Sequence, residues 1–211
     1  MTSKHEAGKA LKIPAESELG MKIPTIAECL KLLDETKLTS NMKRHSMLVM
    51  RISTALAKKL MKKGETINLE LLRSAALLHD LDKFLTLENG HEHGYLSQKI
   101  LTEKGYPEVG QIVRKHRLET IYEDPEGLKT WEEKLVFYAD KRLNDSTIVG
   151  LPERYDYLLK RYGTTPKRRE AILRTRAGVE SLENEIFSKI GRSPDELIEI
   201  MKEEGEVGSD V

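Results

Sequence analysis

The sequence predicts an all-α protein, a bundle of helices without a substantial sheet. Three observations point there. Apolar residues recur at spacings of three and four, and no stretch alternates convincingly with period two. Leu, Lys and Glu are abundant, whereas Phe occurs only 3 times and β-branched residues rarely cluster. Helix-opening Thr, Ser, Asn and Pro and helix-stopping Gly fall between the apolar stretches.

Residues 1–22 read as a polar tail. Pro24-Thr25 then opens a helix from Ile26 to about Lys37, with Ile26, Leu30 and Leu33 on one face. Thr39-Ser40-Asn41 supplies the cap of the next, which runs from about Met42 to Lys63. His45, Val49, Ile52 and Leu56 share its apolar stripe, so His45 is expected to point inward. Gly64 stops that helix after a Lys-rich last turn. Asn68 caps the helix carrying Leu71, Leu72, Ala75, Leu78 and His79, and residues 85–91 form a loop with an Asn89-Gly90 turn.

Tyr95 to Thr102 and Glu108 to Arg117 read as short helices separated by Gly105 and Pro107. Pro125 and Gly127 mark a loop before the helix from Trp131 to about Leu143. A helix from Pro152 to Tyr162 follows, with Tyr155, Leu158 and Leu159 inward, and Gly163 ends it. A long polar helix spans Pro166 to about Ile190, and a last short one begins at Ser193-Pro194, with Asp195 and Glu196 in its first turn. From Gly205 onward the chain reads as disordered. The expected organisation is a tail (1–22), a helical domain (23–163) and a C-terminal helical extension (164–211).

Composition narrows the classes. Lys+Arg and Asp+Glu both number 35, so no overall field draws the chain to a nucleic acid or an anionic membrane, and phosphate affinity must be local. With 33% charged residues and no apolar run near the roughly 18–20 residues of a membrane span, no membrane partner is expected. Met1 to Gly20 has no apolar signal core, and the single cysteine, Cys29, reads as a small core residue. Together these predict a cytoplasmic location.

The chemistry concentrates in a few polar residues. His79-Asp80 closes the apolar run Ala75-Ala76-Leu77-Leu78, His45 interrupts another, and Asp140 closes Leu135-Val136-Phe137-Tyr138-Ala139. Taken singly, each histidine can be a satisfied core residue and each aspartate a cap. Together, imidazoles and carboxylates at the ends of buried helices are expensive to desolvate unless something pairs them, and a divalent cation pairs all four. Helix carbonyl ends at Leu78-His79 and Ala139-Asp140 add partial negative charge.

The order His45, His79-Asp80, Asp140, with Ala-Leu-Leu before the doublet, Lys83 after it and Ala-Asp-Lys around the last aspartate, resembles the HD superfamily of metal-dependent phosphohydrolases. The resemblance covers about Thr25 to Gly163. It implies an HD-domain helical bundle and a divalent ion (Mn, Fe, Co, Ni, Zn or Mg) held by His45, His79, Asp80 and Asp140. The segment from His93 to Leu101, and His116, resemble further ligands of the two-metal HDIG-like branch, in which Asp80 bridges two ions. The resemblance therefore implies one ion or two. Two departures stand out: His-Asp-Leu-Asp-Lys places Asp82 where that branch has glycine, and Gly94 and Ser97 replace a proline and a glycine. His5 and His91 have no counterpart and read as solvent-facing.

For phosphate, Lys83 is the first candidate, as a catalytic and substrate-binding cation; its alternative is a helix-terminal surface lysine. Arg44, Lys141 and Arg117 are weaker substrate-binding candidates. Lys167-Arg168-Arg169 with Arg174 and Arg176 reads as a solvated face, offset by Glu170, Glu180 and Glu183, which argues against a nucleic-acid partner. The expected activity is hydrolysis of a phosphate ester or anhydride of a nucleotide or similar phosphorylated small molecule. The spaced histidines are also similar to the bacterial diadenosine-tetraphosphate hydrolases of the superfamily. The competing reading is a non-enzymatic nucleotide-binding sensor or scaffold that keeps the fold.

Overall fold

The computed structural model describes residues 20–36, 38–86, 93–123 and 127–207. Most of the predicted tail, Lys37, the Asn89-Gly90 turn, His5, His91, Pro125 and residues 208–211 lie outside them. The described chain is all-α apart from one short hairpin. No helix among these residues is long and apolar enough to cross a membrane.

Helix α1 (Ile26–Glu35) opens with a capping box, in which Thr25 Oγ1 accepts from Glu28 N and the Glu28 carboxylate accepts from Thr25 N. Its inward face differs from expectation. Cys29, Leu32 and Leu33 are buried, whereas Ile26 and Leu30 are 38% and 39% exposed. The helix lies against α3 (Leu69–Leu78) and turns its Cys29 edge, rather than its most apolar edge, to the core.

Helix α2 (Ser40–Met61), capped by Thr39, is the central post and packs on α3, α7 (Trp131–Lys141), α9 (Pro166–Ile190) and α10 (Leu197–Glu203). Its predicted stripe holds, with Val49, Ile52 and Leu56 fully buried. Asn68 Oδ1 accepts from Glu70 N and Leu71 N and starts α3, a capping contribution of about 1 kcal/mol. Helices α4 (Tyr95–Glu103) and α5 (Pro107–Arg114) pack as a pair, and α5 ends two residues before His116 rather than running through it. A single turn, α6 (Thr120–Glu123), packs on α9 across Gly178, where an added Cβ would come within 2.6 Å of Ile121.

Thr130 opens α7 with a second capping box. A hairpin follows, β1 (Leu143–Asn144) paired antiparallel with β2 (Thr147–Ile148), and then α8 (Leu151–Tyr162). Its turn residue Asp145 has φ 51°, a left-handed conformation that Asp tolerates better than most residues. Helix α9 is polar outside, yet Ile172, Val179, Leu182, Ile186 and Phe187 are buried in the same continuous core as α2 and α7. A 3₁₀ turn, Pro194–Glu196, leads into α10. The chain end corrects another expectation: residues 205–207 are ordered against the body, with Glu206 accepting from Lys58 Nζ (2.6 Å) and Val207 packed on the core.

Candidate metal centre

The six predicted ligands arrive from five places in the chain. His45 lies in the second turn of α2, His79 is the C-cap of α3 and Asp80 follows it. His93 precedes α4, His116 follows α5, and Asp140 is in the last turn of α7. The C-terminal ends of α3, α5 and α7 therefore meet at one place, and their carbonyls favour a cation there. Ligating atoms of His45, His79 and Asp140 lie within 4.8 Å of one another, and so do those of Asp80, His93 and His116.

Hydrogen bonds fix the tautomers. His45 Nδ1 faces the Asp145 carbonyl (2.6 Å), His79 Nδ1 the Ala76 carbonyl (2.7 Å) and His116 Nδ1 the Val113 carbonyl (2.5 Å). A carbonyl only accepts, so each Nδ1 carries a proton. His93 Nδ1 donates to Asp82 Oδ1 at 2.7 Å. All four rings thus present Nε2 to the centre, the arrangement by which outer oxygens orient histidine ligands.

The protein does not satisfy all of those Nε2 atoms. His79 Nε2 is buried without a hydrogen-bond partner. His93 Nε2 and His116 Nε2 face each other at 3.0 Å, and His45 Nε2 faces Asp140 Oδ1 at 3.0 Å. Lone pair opposite lone pair or carboxylate is repulsive unless a proton or a metal ion lies between. The satisfied-core alternative for His79 fails on this count, and the donor set fits borderline divalent ions.

Asp80 is the hub. Oδ1 lies 3.2 Å from Lys83 Nζ, 3.2 Å from His93 Nε2 and 3.5 Å from His116 Nε2. Oδ2 lies 3.6 Å from His79 Nε2, so the two oxygens face the two histidine groups. Asp140 divides similarly: Oδ2 accepts from Lys141 Nζ at 2.6 Å, while Oδ1 faces His45 and, at 3.9 Å, His79 Nε2.

Titration follows from burial and charge. Burial drives His79 down to about 3 against the pull of Asp80 and Asp140, and it lowers His116 too. Burial also opposes protonation of His45 and His93, but Asp140 raises the first, and Asp80 and Asp82 raise the second to about 9. Asp80 and Asp140 are held well below the usual carboxylate range, because Lys83 and the imidazoles, or Lys141 and His45, outweigh burial. Burial lowers Lys141 despite Asp140.

A cavity of about 410 Å³ opens beside the cluster. His93, His116 and Asp140 face it, with Lys83, Arg117 and Arg154 as cations and Leu118, Leu158, Tyr162 and Ile172 as an apolar wall. Lys83 is there as expected, its side chain 40% exposed. Arg117 lines it too, 3.6 Å from Glu119. Lys141 faces it but is buried and donates to the His116 carbonyl (2.6 Å) and Asp140, tying α5 to α7. Arg44 is exposed and does not line the cavity.

Three contributors were not legible in the sequence. Asp82, which stands where the branch has glycine, is fully buried: Oδ1 accepts from His93 Nδ1, and Oδ2 accepts from Gly94 N (2.7 Å) and Ser97 N (2.9 Å). It thereby caps α4, whose own N-cap residue is a glycine, and Ser97 Oγ accepts from Asp82 N (3.0 Å) in return. The departures at 82, 94 and 97 are one hydrogen-bonded unit. Gly94 needs its freedom, because φ is 81° and an added Cβ would meet Arg114 O and Arg117 at 3.3 Å. The other two are Asp145, whose carbonyl orients His45, and Arg154. The only available signal for Arg154 was its place four residues before the inward Leu158.

Comparison with known proteins agrees with this geometry. Residues 42–145 match the HD domain family. An uncharacterized protein of Methanocaldococcus jannaschii is 26% identical over 136 residues, covering 59% of this chain and 79% of that protein. No solved structure matches the chain. The matched segment contains all six converging side chains, and over that segment the chain is similar to the HD domain family.

Proposed function

We propose that the chain is a metal-dependent phosphohydrolase of the two-ion type, cleaving a phosphate ester or anhydride of a nucleotide or similar small molecule. One observation carries the reading: four Nε2 atoms, their Nδ1 protons already donated to protein oxygens, converge with two ionised carboxylates beside a cavity lined with cations. His45, His79 and Asp140 would hold one ion, and Asp80, His93 and His116 a second, with Asp80 Oδ2 reaching toward the first. Divalent ions bound there supply Lewis acidity toward phosphoryl oxygens and lower the pKa of water.

The chain's own residues do the rest. Hydrolysis breaks the P–O bond to the leaving group, forms one to the oxygen of water and passes a proton to the leaving oxygen. Negative charge accumulates on the equatorial oxygens meanwhile, and Lys83, at the cavity edge, is placed to stabilise it. Arg117 adds a second positive charge at the rim. Lys141 acts indirectly, by fixing Asp140 and the end of α5. Leu118, Leu158 and Ile172 give the cavity apolar surface that excludes water.

The test is turnover of an aryl phosphate and a panel of nucleotides with Mn²⁺, with chelator, and by His79→Ala. Chelator and substitution should each lower activity by a factor of 100 or more, on the order of 3 kcal/mol of transition-state stabilisation. Activity indifferent to both would sink the proposal. Tight nucleotide binding without turnover of any substrate would put the sensor reading in its place.

A further inference from the structure

We propose that Arg154, from helix α8 beyond the family-matched segment, is a phosphoryl-anion clamp, and that α8 and α9 build the part of the cavity that selects the substrate. The inference rests on the phosphohydrolase reading for what the bound group is, but on its own observations for where it binds.

Four cationic side chains line the cavity, and three are already committed. Lys83 pairs with Asp80 (3.2 Å), Lys141 with Asp140 (2.6 Å) and Arg117 with Glu119 (3.6 Å). Among the described residues Arg154 has no carboxylate partner. Its Nε is buried without a hydrogen-bond partner, and Nη1 makes a contact with Asn144 Oδ1 at 3.5 Å, the limit of a hydrogen bond. A buried guanidinium N–H left unmade costs about 1–3 kcal/mol, so a site that keeps one is preorganised for an acceptor that arrives from outside.

Position supports the assignment. Asn144, on the hairpin, holds one end of the guanidinium, and the Tyr157 ring lies 5.7 Å from its centre. Leu158 and Tyr162 follow on the same stripe of α8, and Ile172 of α9 completes an apolar surface next to the cation. A fork-shaped donor beside an apolar wall matches a phosphoryl group attached to an apolar or aromatic moiety. The bound anion is either the phosphoryl group under attack or a neighbouring one in an anhydride.

The test uses Mn²⁺-loaded full-length protein and inorganic probes. Orthophosphate and pyrophosphate are titrated calorimetrically into wild type, Arg154→Gln and Arg154→Lys, with metal content and melting temperature recorded for each. Arg154→Gln should keep its metal and its melting temperature and lose at least about tenfold in anion affinity, with partial rescue in Arg154→Lys. Weakened orthophosphate binding assigns the clamp to the phosphoryl group under attack; weakening confined to pyrophosphate assigns it to the neighbouring group. Unchanged affinity for both, or wild type that binds neither, overturns the proposal. Anion affinity lost only together with metal or melting temperature makes Arg154 a structural residue and overturns it as well. Wild type that binds anions through Arg154 yet hydrolyses nothing refutes the phosphohydrolase reading and leaves the clamp standing.

Discussion

Replacing Asp82 with asparagine should empty half of the metal centre without touching the other half. The carboxylate accepts three hydrogen bonds, from His93 Nδ1, Gly94 N and Ser97 N, and is fully buried. An asparagine offers one accepting oxygen. If that oxygen stays with the two backbone N–H groups, the amide NH₂ faces His93 Nδ1, which must then accept. The His93 proton moves to Nε2, and the lone pair that faces Asp80 and His116 is gone. One charge-assisted bond of the three is lost, a destabilisation of about 1.5–3 kcal/mol. Losing the outer partner of a histidine ligand typically lowers metal affinity 10–100-fold. Asp82 makes none of the contacts of His45, His79 or Asp140, so the site they form should keep its ion. Manganese titration by calorimetry, with urea denaturation of the metal-free protein, reads both effects. Two ions bound by Asp82→Asn with wild-type affinities would refute the tautomer argument, and so would selective loss of the ion at His45, His79 and Asp140.

Further outcomes follow from the same contacts. Lys141→Met strands a buried Asp140 carboxylate and frees the His116 carbonyl, so the metal-free protein should lose about 3–5 kcal/mol in urea denaturation; a loss below 1 kcal/mol would contradict the buried pair. Burial pushes the Cys29 thiol from 9.0 up to about 11, partly offset by Ser74. The folded state therefore holds its proton more tightly than the unfolded one, and this contribution is present below pH 9 and lost as pH rises toward 11. It amounts to about 3 kcal/mol from a shift of two units. Cys29→Ala should flatten the alkaline fall in stability over that window; an identical fall in both proteins would contradict it. Ions that bind only the folded chain should also raise its melting temperature, so chelation of loaded wild type should lower it by several degrees and that of His79→Ala by less.

Much of this architecture is legible in local chemistry. Thr25, Thr39 and Asn68 announce three helix starts through side-chain caps, and the spacing from His45 to Leu56 sets its histidine inward. The ligand set is legible for a related reason: polar residues at the ends of apolar runs must meet something. What was hidden depends on contacts across the chain. Ile26 and Leu30 are the apolar choice for α1, but docking onto α3 turned the Cys29 edge inward. Strands of two residues are too short for any periodicity to register. Asp82 reads only as a departure from glycine until Gly94 and Ser97, 12 and 15 residues away, bring it their N–H groups. Arg154 looks like any surface arginine until the fold buries its Nε and brings Asn144 of the hairpin to Nη1.

Counting divalent ions per chain, by elemental analysis of wild type and His79→Ala after loading with Mn²⁺ and gel filtration, goes straight to the root of this account. Wild type should retain one or two ions, and His79→Ala should retain fewer while staying folded. A wild-type chain that leaves the column without metal, or a variant whose content matches it, would mean that the converging Nε2 atoms hold no ion.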